Sequence, residues 1–283
     1  MGIQAQKLRG LINSGEHVIA ADCYSALTGR IIEHVGFKAA YAGGHACGAF
    51  HFAVPDYGLY SQAEHVDVCA RIAAAMDIPL IADADTLGDT ITEAYHFTRR
   101  YEQAGIAGIH IEDEVNPRHS SYVNGLLPIV DMQARIEASA SARSDPAFVI
   151  IARCDEFYWK SHTGVRTGSI EEAIKRGKAY AEAGADLLMY PIVSPENHAI
   201  LVEELPVPIC VIGASLPGTT LTLAGGWGWL GAAQLHMQRA RTLFETGSLS
   251  VDPVLEHKAE LIDQQLYDDV IRKWAERTGR PVW

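Results

Sequence analysis

The sequence predicts an α/β fold of the (β/α)8 barrel type with an extra C-terminal helix. Three observations carry this. Short β-rich runs alternate with stretches of helical period, the pattern of a parallel sheet. The runs are nearly continuous in apolar residues, as expected when both faces of a parallel strand are covered. Three helix-to-strand joints repeat one chemistry, at Gly36, Gly105 and Gly184. Each glycine can take the left-handed conformation that ends a helix and turns the chain into the next strand.

Strands are expected at 17–21, 39–42, 79–82, 108–111, 147–152, 186–190 and 208–212. Helices are expected at 64–75, 91–104 and 170–183, the last opened by a Ser169-x-x-Glu172 capping signal. The eighth strand falls either at 219–223 or in the Gly-Trp-rich run 224–230. Two helical stretches follow, at 231–246 and 254–278. Residues 1–283 read as one barrel domain, with 231–283 as its C-terminal helical region. A doubly wound open sheet is the competing architecture, but the first βα turn carries no GxGxxG and nothing resembles a Walker loop.

The 283 residues are 48% hydrophobic and 20% charged, which excludes disorder and suffices for one large core. The net charge of −12 argues against a nucleic-acid surface and against anchoring to an anionic membrane. It does not exclude an anionic substrate, because a metal ion and one arginine can reverse the sign locally. The five cysteines form no CxxC pair, which points to a reducing compartment without a disulfide framework. The first residues lack the apolar core of a signal peptide, and Gln6 stands where a myristoylation signal needs Ser or Thr. No apolar run reaches the roughly 18 residues of a membrane span. A cytoplasmic protein is expected.

In a barrel, the site is built where the strands end. The second strand is followed by Gly43-Gly44-His45, the third by Asp83-Ala84-Asp85, the fourth by Glu112-Asp113, and the fifth by Arg153-Cys154-Asp155. If the third strand continues through Asp85, both aspartates point to one side. Carboxylates crowded this way need a divalent cation or a raised pKa, and oxygen-only ligands favour Mg²⁺ or Mn²⁺ over zinc. Each aspartate alone could equally cap a helix. Gly43-Gly44 can form an anion-binding nest or a simple tight turn. Arg153 can grip a carboxylate or bridge Glu112 and Asp155. His45, His51, His96, His110 and His119 show no paired ligand spacing, and His96 and His110 read as structural or surface residues. The run Phe157-Tyr158-Trp159 reads as a loop packed on the barrel rim.

These motifs, taken in order with Val54-Pro55-Asp56-Tyr57-Gly58, Glu112-Asp113-Glu114-Val115-Asn116-Pro117 and Ile151-Ala152-Arg153, resemble the isocitrate lyase / phosphoenolpyruvate mutase superfamily over about residues 10 to 190. The resemblance implies a (β/α)8 barrel whose last helix is exchanged between the subunits of a dimer or tetramer. It implies Mg²⁺ (or Mn²⁺) and a small α-oxo or α-hydroxy carboxylate, with C–C or C–P bond chemistry through an enolate-like intermediate. It makes Asp85 the nearest metal ligand, with Asp83, Glu112 and Asp56 holding metal-bound waters. Gly43, Gly44 and His45 would offer backbone N–H groups to the substrate carboxylate, and Arg153 would contact the substrate.

The departures are informative. Ser120 stands where the lyase branches carry a catalytic cysteine, and an aliphatic hydroxyl is a much poorer acid than a thiol. Either Tyr122 or His119 takes that role, or the chemistry needs no such acid, as in decarboxylases and phosphonopyruvate-handling members. Pro191 stands where many members have Glu or His, and the region after Gly213 is short. The expected activity is Mg²⁺-dependent C–C cleavage, decarboxylation included, with the loop 119–124 closing over the substrate. The alternatives are a phosphonopyruvate mutase or hydrolase and a non-catalytic barrel that binds a carboxylate.

Overall fold

The computed structural model describes residues 2–119, 125–158, 168–248 and 255–281. Its centre is a closed parallel barrel: β1 (Val18–Asp22), β2 (Ala39–Ala42), β3 (Leu80–Asp83), β4 (Gly108–Glu112), β5 (Val149–Arg153), β6 (Leu187–Met189), β7 (Ile209–Ile212) and β8 (Thr219–Ala224). Neighbours pair in sequence order, and β8 closes on β1 in a register that runs from Val18↔Leu221 to Ala21↔Ala224.

Helix α1 (Ile3–Ile12) precedes the barrel. Helices α2 (Ala26–Val35), α3 (Gly44–Phe52), α4 (Gln62–Ala73), α5 (Ile91–Gln103), α6 (Ile129–Ala142), α7 (Ile170–Glu182) and α8 (Pro195–Glu204) alternate with the strands. Then come α9 (Trp227–Thr246), α10 (Lys258–Leu261) and α11 (Gln264–Thr278). The start signals act as expected. Ser25, Ser61 and Thr90 close capping boxes, and Ser169 accepts the N–H of Glu172. The glycines at the three joints have φ of 103° (Gly36), 84° (Gly105) and 105° (Gly184), the left-handed conformation that a side chain would oppose.

The strands are apolar because the barrel interior is filled. Val18, Ala20, Ala39, Tyr41, Ile81, Val149, Ile151, Leu187, Met189, Leu221 and Leu223 form one buried cluster, joined by Leu8 and Ile12 of α1. A Cβ on Gly108, the first residue of β4, would stand 3.2 Å from Leu8 Cδ2, so α1 plugs the end where the strands begin. Burying one such Leu or Ile side chain contributes about 1.5–3 kcal/mol. The opposite end stays open to polar chemistry.

The structure decides one open alternative and corrects two expectations. The eighth strand is Thr219–Ala224, and the competing run 224–230 instead leads into α9. The stretch 254–278 is not one helix: Asp263, at φ 52°, separates α10 from α11, and residues 249–254 lie outside the described residues. Strand β3 ends at Asp83, and Asp85 has φ 50°, so the two aspartates are not brought together by strand alternation. Residues 213–218 join β7 directly to β8 without a helix, which accounts for the short region after Gly213.

The chain divides into two compact units, Met1–Leu230 and Gly231–Trp283. The first holds the barrel. The second is helical and exposes Leu266, Tyr267, Val270, Ile271 and Trp274 of α11. No helix of the described residues is long and apolar enough to cross a membrane.

Candidate active site

Asp22, Asp83, Glu112 and Arg153 are the last residues of β1, β3, β4 and β5. All four are buried, and the fold brings them to one mouth. A cavity of about 220 Å³ opens there, lined on one side by Asp22, Tyr41, Gly43, His45, Asp56, Asp83, His119, Arg153 and Tyr158. Its other wall is Pro191, Ile192, Ile212, Gly225, Gly226 and Trp229. A larger cavity of about 540 Å³ lies beside α1, among Gln4, Glu102 and Asp145, and none of the expected site residues lines it.

Asp83 is held through both carboxylate oxygens. Its Oδ2 accepts the N–H of Gly44 at 3.0 Å and the Tyr41 hydroxyl at 3.3 Å, and its Oδ1 accepts the N–H of Asp85 at 3.1 Å. His110 Nε2 stands 3.3 Å from Asp83 Oδ1 and 3.1 Å from the Tyr41 oxygen. Burial alone would raise the Asp83 pKa, but His110, Arg118 and Arg153 outweigh it and hold the group far below the carboxylate range. A side chain at Gly44 would crowd the two aspartates. A Cβ would meet Asp85 Oδ1 at 3.0 Å and Asp83 Oδ2 at 3.1 Å.

A second knot forms around Arg118, a wholly buried guanidinium. It reaches Asp56 Oδ1 at 2.5 Å, Glu112 Oε1 at 3.2 Å and, closest, Asp85. Burial pushes Asp85 well up despite Arg118, whereas Arg118 and His119 overcome burial at Asp56 and bring it to about 2. Arg153 bridges both candidate partners, Glu112 Oε2 at 2.9 Å and Asp155 Oδ1 at 2.7 Å. Burial pushes Asp155 up to about 8, against the pull of Arg153. His119 Nε2 lies 3.1 Å from the Arg153 guanidinium and 3.5 Å from Glu114, with Nδ1 3.3 Å from Asp56. Burial lowers the His119 pKa, but Glu112 and Asp56 raise it more, so it lies above the ordinary imidazole value.

The expected residues thus meet, with corrections. Asp56, Asp83, Asp85, Glu112, His119 and Arg153 share the mouth. The N–H of Gly44 is not offered to a ligand: it is spent on Asp83, and Gly44 opens α3 with Gly43 as its cap. His45 is exposed at the cavity edge, its ring 4.9 Å from that of Trp229. Asp113 turns away and accepts from Tyr180 at 2.6 Å and from the Asp155 N–H at 2.9 Å. His110, read as structural, faces Asp83. Tyr158, read as rim packing, lies 5.2 Å from the Arg153 guanidinium. Ser120 and Tyr122 lie outside the described residues.

Asp22, Tyr41 and Arg118 fall outside the expected set. The strand-end rule applied to β1 would have found Asp22. Tyr41 points inward from the middle of an apolar run, and Arg118 follows a proline in a loop, so neither carries a sequence signal of its own.

The donor set suits a hard divalent cation. Oxygens predominate, and Glu112, Glu114, His119 and Asp155 bring their ligand atoms within 4.8 Å of one another, of which the sequence singled out only Glu112 as a metal residue. Asp85 Oδ1, Glu112 Oε2 and Asp155 Oδ2 are buried and make no hydrogen bond among the described residues. Arg118 and Arg153 lie against the first two as ion pairs, so a cation would share those oxygens with them.

Comparison with known proteins agrees with this geometry. The profile of the phosphoenolpyruvate phosphomutase family matches residues 8–226. The 2,3-dimethylmalate lyase of Eubacterium barkeri is 35% identical over 219 residues, 77% of this chain and 70% of that protein. The structure of a phosphoenolpyruvate phosphomutase from Streptomyces platensis subsp. rosaceus superposes with a TM-score of 0.83 at 27% identity, covering 98% of this chain and 99% of that one. A phosphonopyruvate hydrolase in complex with oxalate and Mg²⁺ does so with a TM-score of 0.81 at 26% identity, covering 97% and 98%.

Proposed function

Because the chain belongs to the phosphoenolpyruvate phosphomutase family and is an enzyme of the carbon–carbon lyase type, we propose that it cleaves a C–C bond of a small α-oxo or α-hydroxy (di)carboxylate in a Mg²⁺-dependent reaction, decarboxylation included. One observation carries this reading: Asp56, Asp83 and Arg153 line one cavity sized for a small acid, with the buried carboxylates Asp85 and Glu112 held by Arg118 and Arg153. The reading includes a cytoplasmic location and a homo-oligomeric state.

In this reading Asp85, Asp83, Glu112 and Asp56 hold the cation. Bound there, Mg²⁺ supplies a Lewis acid that stabilises negative charge developing on a carbonyl oxygen. The protein does the rest. Arg153, fixed by Asp155 and Glu112, receives the substrate carboxylate in a set orientation. His119, lining the cavity beside Arg153 and Asp56 with its pKa held up by Glu112 and Asp56, is placed to move a proton, with Ser120 and Tyr122 following it in the chain. Tyr158 stacks its ring against the Arg153 guanidinium.

The test is a panel of α-oxo and 2-hydroxy acids with Mg²⁺, read by pyruvate or CO₂ release. Turnover of a member that stops on EDTA and returns with Mg²⁺ supports the reading. Turnover unaffected by EDTA contradicts it. A second reading, C–P chemistry on phosphonopyruvate, is favoured by the 27% and 26% identity to the phosphomutase and hydrolase structures described above. The wall at Pro191 and Ile192 offers no cation to a phosphonyl group. Phosphate release from phosphonopyruvate, against pyruvate release from 2,3-dimethylmalate, separates the two.

A further inference from the structure

Asp22 ends β1 and is 2% exposed. It lines the cavity with Arg153, Asp83 and His45. Its Oδ2 accepts the backbone N–H of Gly226 at 3.1 Å, just ahead of α9. Its Oδ1 is buried and has no hydrogen-bond donor among the described residues. A buried acceptor left without a donor is costly to the fold, the more so when charged. Arg153 satisfies Glu112 and Asp155, and Arg118 satisfies Asp56 and Asp85, but no ion pair reaches Asp22 among the described residues. Such an oxygen, at the wall of a cavity, is completed by a donor on the ligand.

Resting on the carboxylate reading above, we propose that Asp22 is a specificity-determining residue: its unpartnered oxygen accepts a hydrogen bond from the hydroxyl of an α-hydroxy carboxylate and so selects hydroxy acids over oxo acids. The two ligand classes differ in what they present. A hydroxyl donates a hydrogen bond. A carbonyl oxygen only accepts, and would set its lone pairs against a carboxylate. In the closed order of eight strands, β1 stands opposite β5, so Asp22 and Arg153 occupy facing positions around the mouth. The cation takes the carboxylate, and the anion takes the donor. With about 220 Å³ available, a four- or five-carbon acid has little room to avoid either. Burial pushes the Asp22 carboxyl up to about 6, against the pull of the Gly226 N–H, so at neutral pH it is ionised and ready to accept. A site that leaves a buried polar group unmet by the wrong ligand discriminates far better than one that merely measures size.

The test uses Asp22→Asn, whose amide oxygen can still accept the Gly226 N–H while its NH₂ replaces the unpartnered oxygen with a donor. Wild type and variant are titrated calorimetrically, with Mg²⁺ present, against 2-hydroxyglutarate, 2-oxoglutarate and oxalate. The wild type should prefer the hydroxy acid to the oxo acid. The variant should lose that preference, the affinity ratio falling by about thirtyfold or more, with oxalate unchanged within about twofold. An unchanged ratio overturns the proposal. An equal loss for all three probes also overturns it, because Asp22 would then only prop the turn before α9. If oxalate binds the wild type while the ratio stays fixed, the proposal alone fails. If none of the three binds the wild type, the carboxylate reading fails and takes the proposal with it.

Discussion

The two sides of the barrel mouth are built on opposite principles. The β3–β5 side packs Asp83, Asp85, Glu112, Asp155, Arg118 and Arg153 into a buried network in which almost every charge has a partner. The β6–β8 side is Pro191, Ile192, Ile212, Gly225 and Gly226, apolar or without side chains. Charge on one side can bind and stabilise a reacting carboxylate. Shape on the other can measure the substrate's body. Asp22, on β1, is the acidic group next to the apolar wall, tied to it through Gly226. Chemistry and selectivity are thereby assigned to different strands, and substitutions should separate them.

The largest effect is expected on the charged side. Asp85→Ala should lower kcat by about 10³-fold or more while circular dichroism stays native, since it removes both a cation ligand and a partner of Arg118. Near-normal kcat in that variant would break the division. Arg153→Ala strands Glu112 and Asp155 without their guanidinium. Removing one partner of such a buried pair costs about 3–5 kcal/mol of stability, read by denaturant unfolding, and carboxylate affinity should fall with it.

Asp22 gives a pH-dependent prediction. Its carboxyl sits at about 6 in the fold against 3.8 ordinarily, so the folded chain holds a proton that the unfolded chain has released between those values. That contribution is full below pH 3.8 and is lost as pH rises through 6. Above 6 the ionised group is a standing cost, on the order of 3 kcal/mol from a shift of about two units. Asp22→Asn should therefore raise Tm at pH 8, with the gain shrinking toward pH 5. A gain that grows on acidification would contradict the sign. The smallest effect belongs to the apolar wall: Ile212→Ala should weaken kcat/KM for a methyl-branched acid by about 1–3 kcal/mol and spare an unbranched one.

Much of this was legible in the chain, for identifiable reasons. Strands buried on both faces must be apolar throughout, so the seven clear runs stand out, and Gly36, Gly105 and Gly184 mark their joints. Residues such as Asp83, Glu112 and Arg153 end strands, and a barrel sends strand ends to one mouth. What escaped depends on tertiary placement. Arg118 reaches Asp56 and Asp85 across the loops, which no local pattern encodes. The Gly43-Gly44 pair looks like a nest, but Asp83 arrives from the next strand and takes the Gly44 N–H. The helical period continues from Ile262 to Leu266 and Val270, so the break at Asp263, a backbone event, left no mark in it.

The central claim is that the acidic side of the mouth holds a divalent cation. It is tested most directly by titrating the protein with Mn²⁺ and following the free-ion electron paramagnetic resonance signal, for the wild type and for Asp85→Ala. Saturable binding of one ion per chain, displaced by Mg²⁺ and lost in the variant, is the predicted result. Mn²⁺ binding that the substitution leaves untouched, or no binding by the folded wild type, would contradict the account.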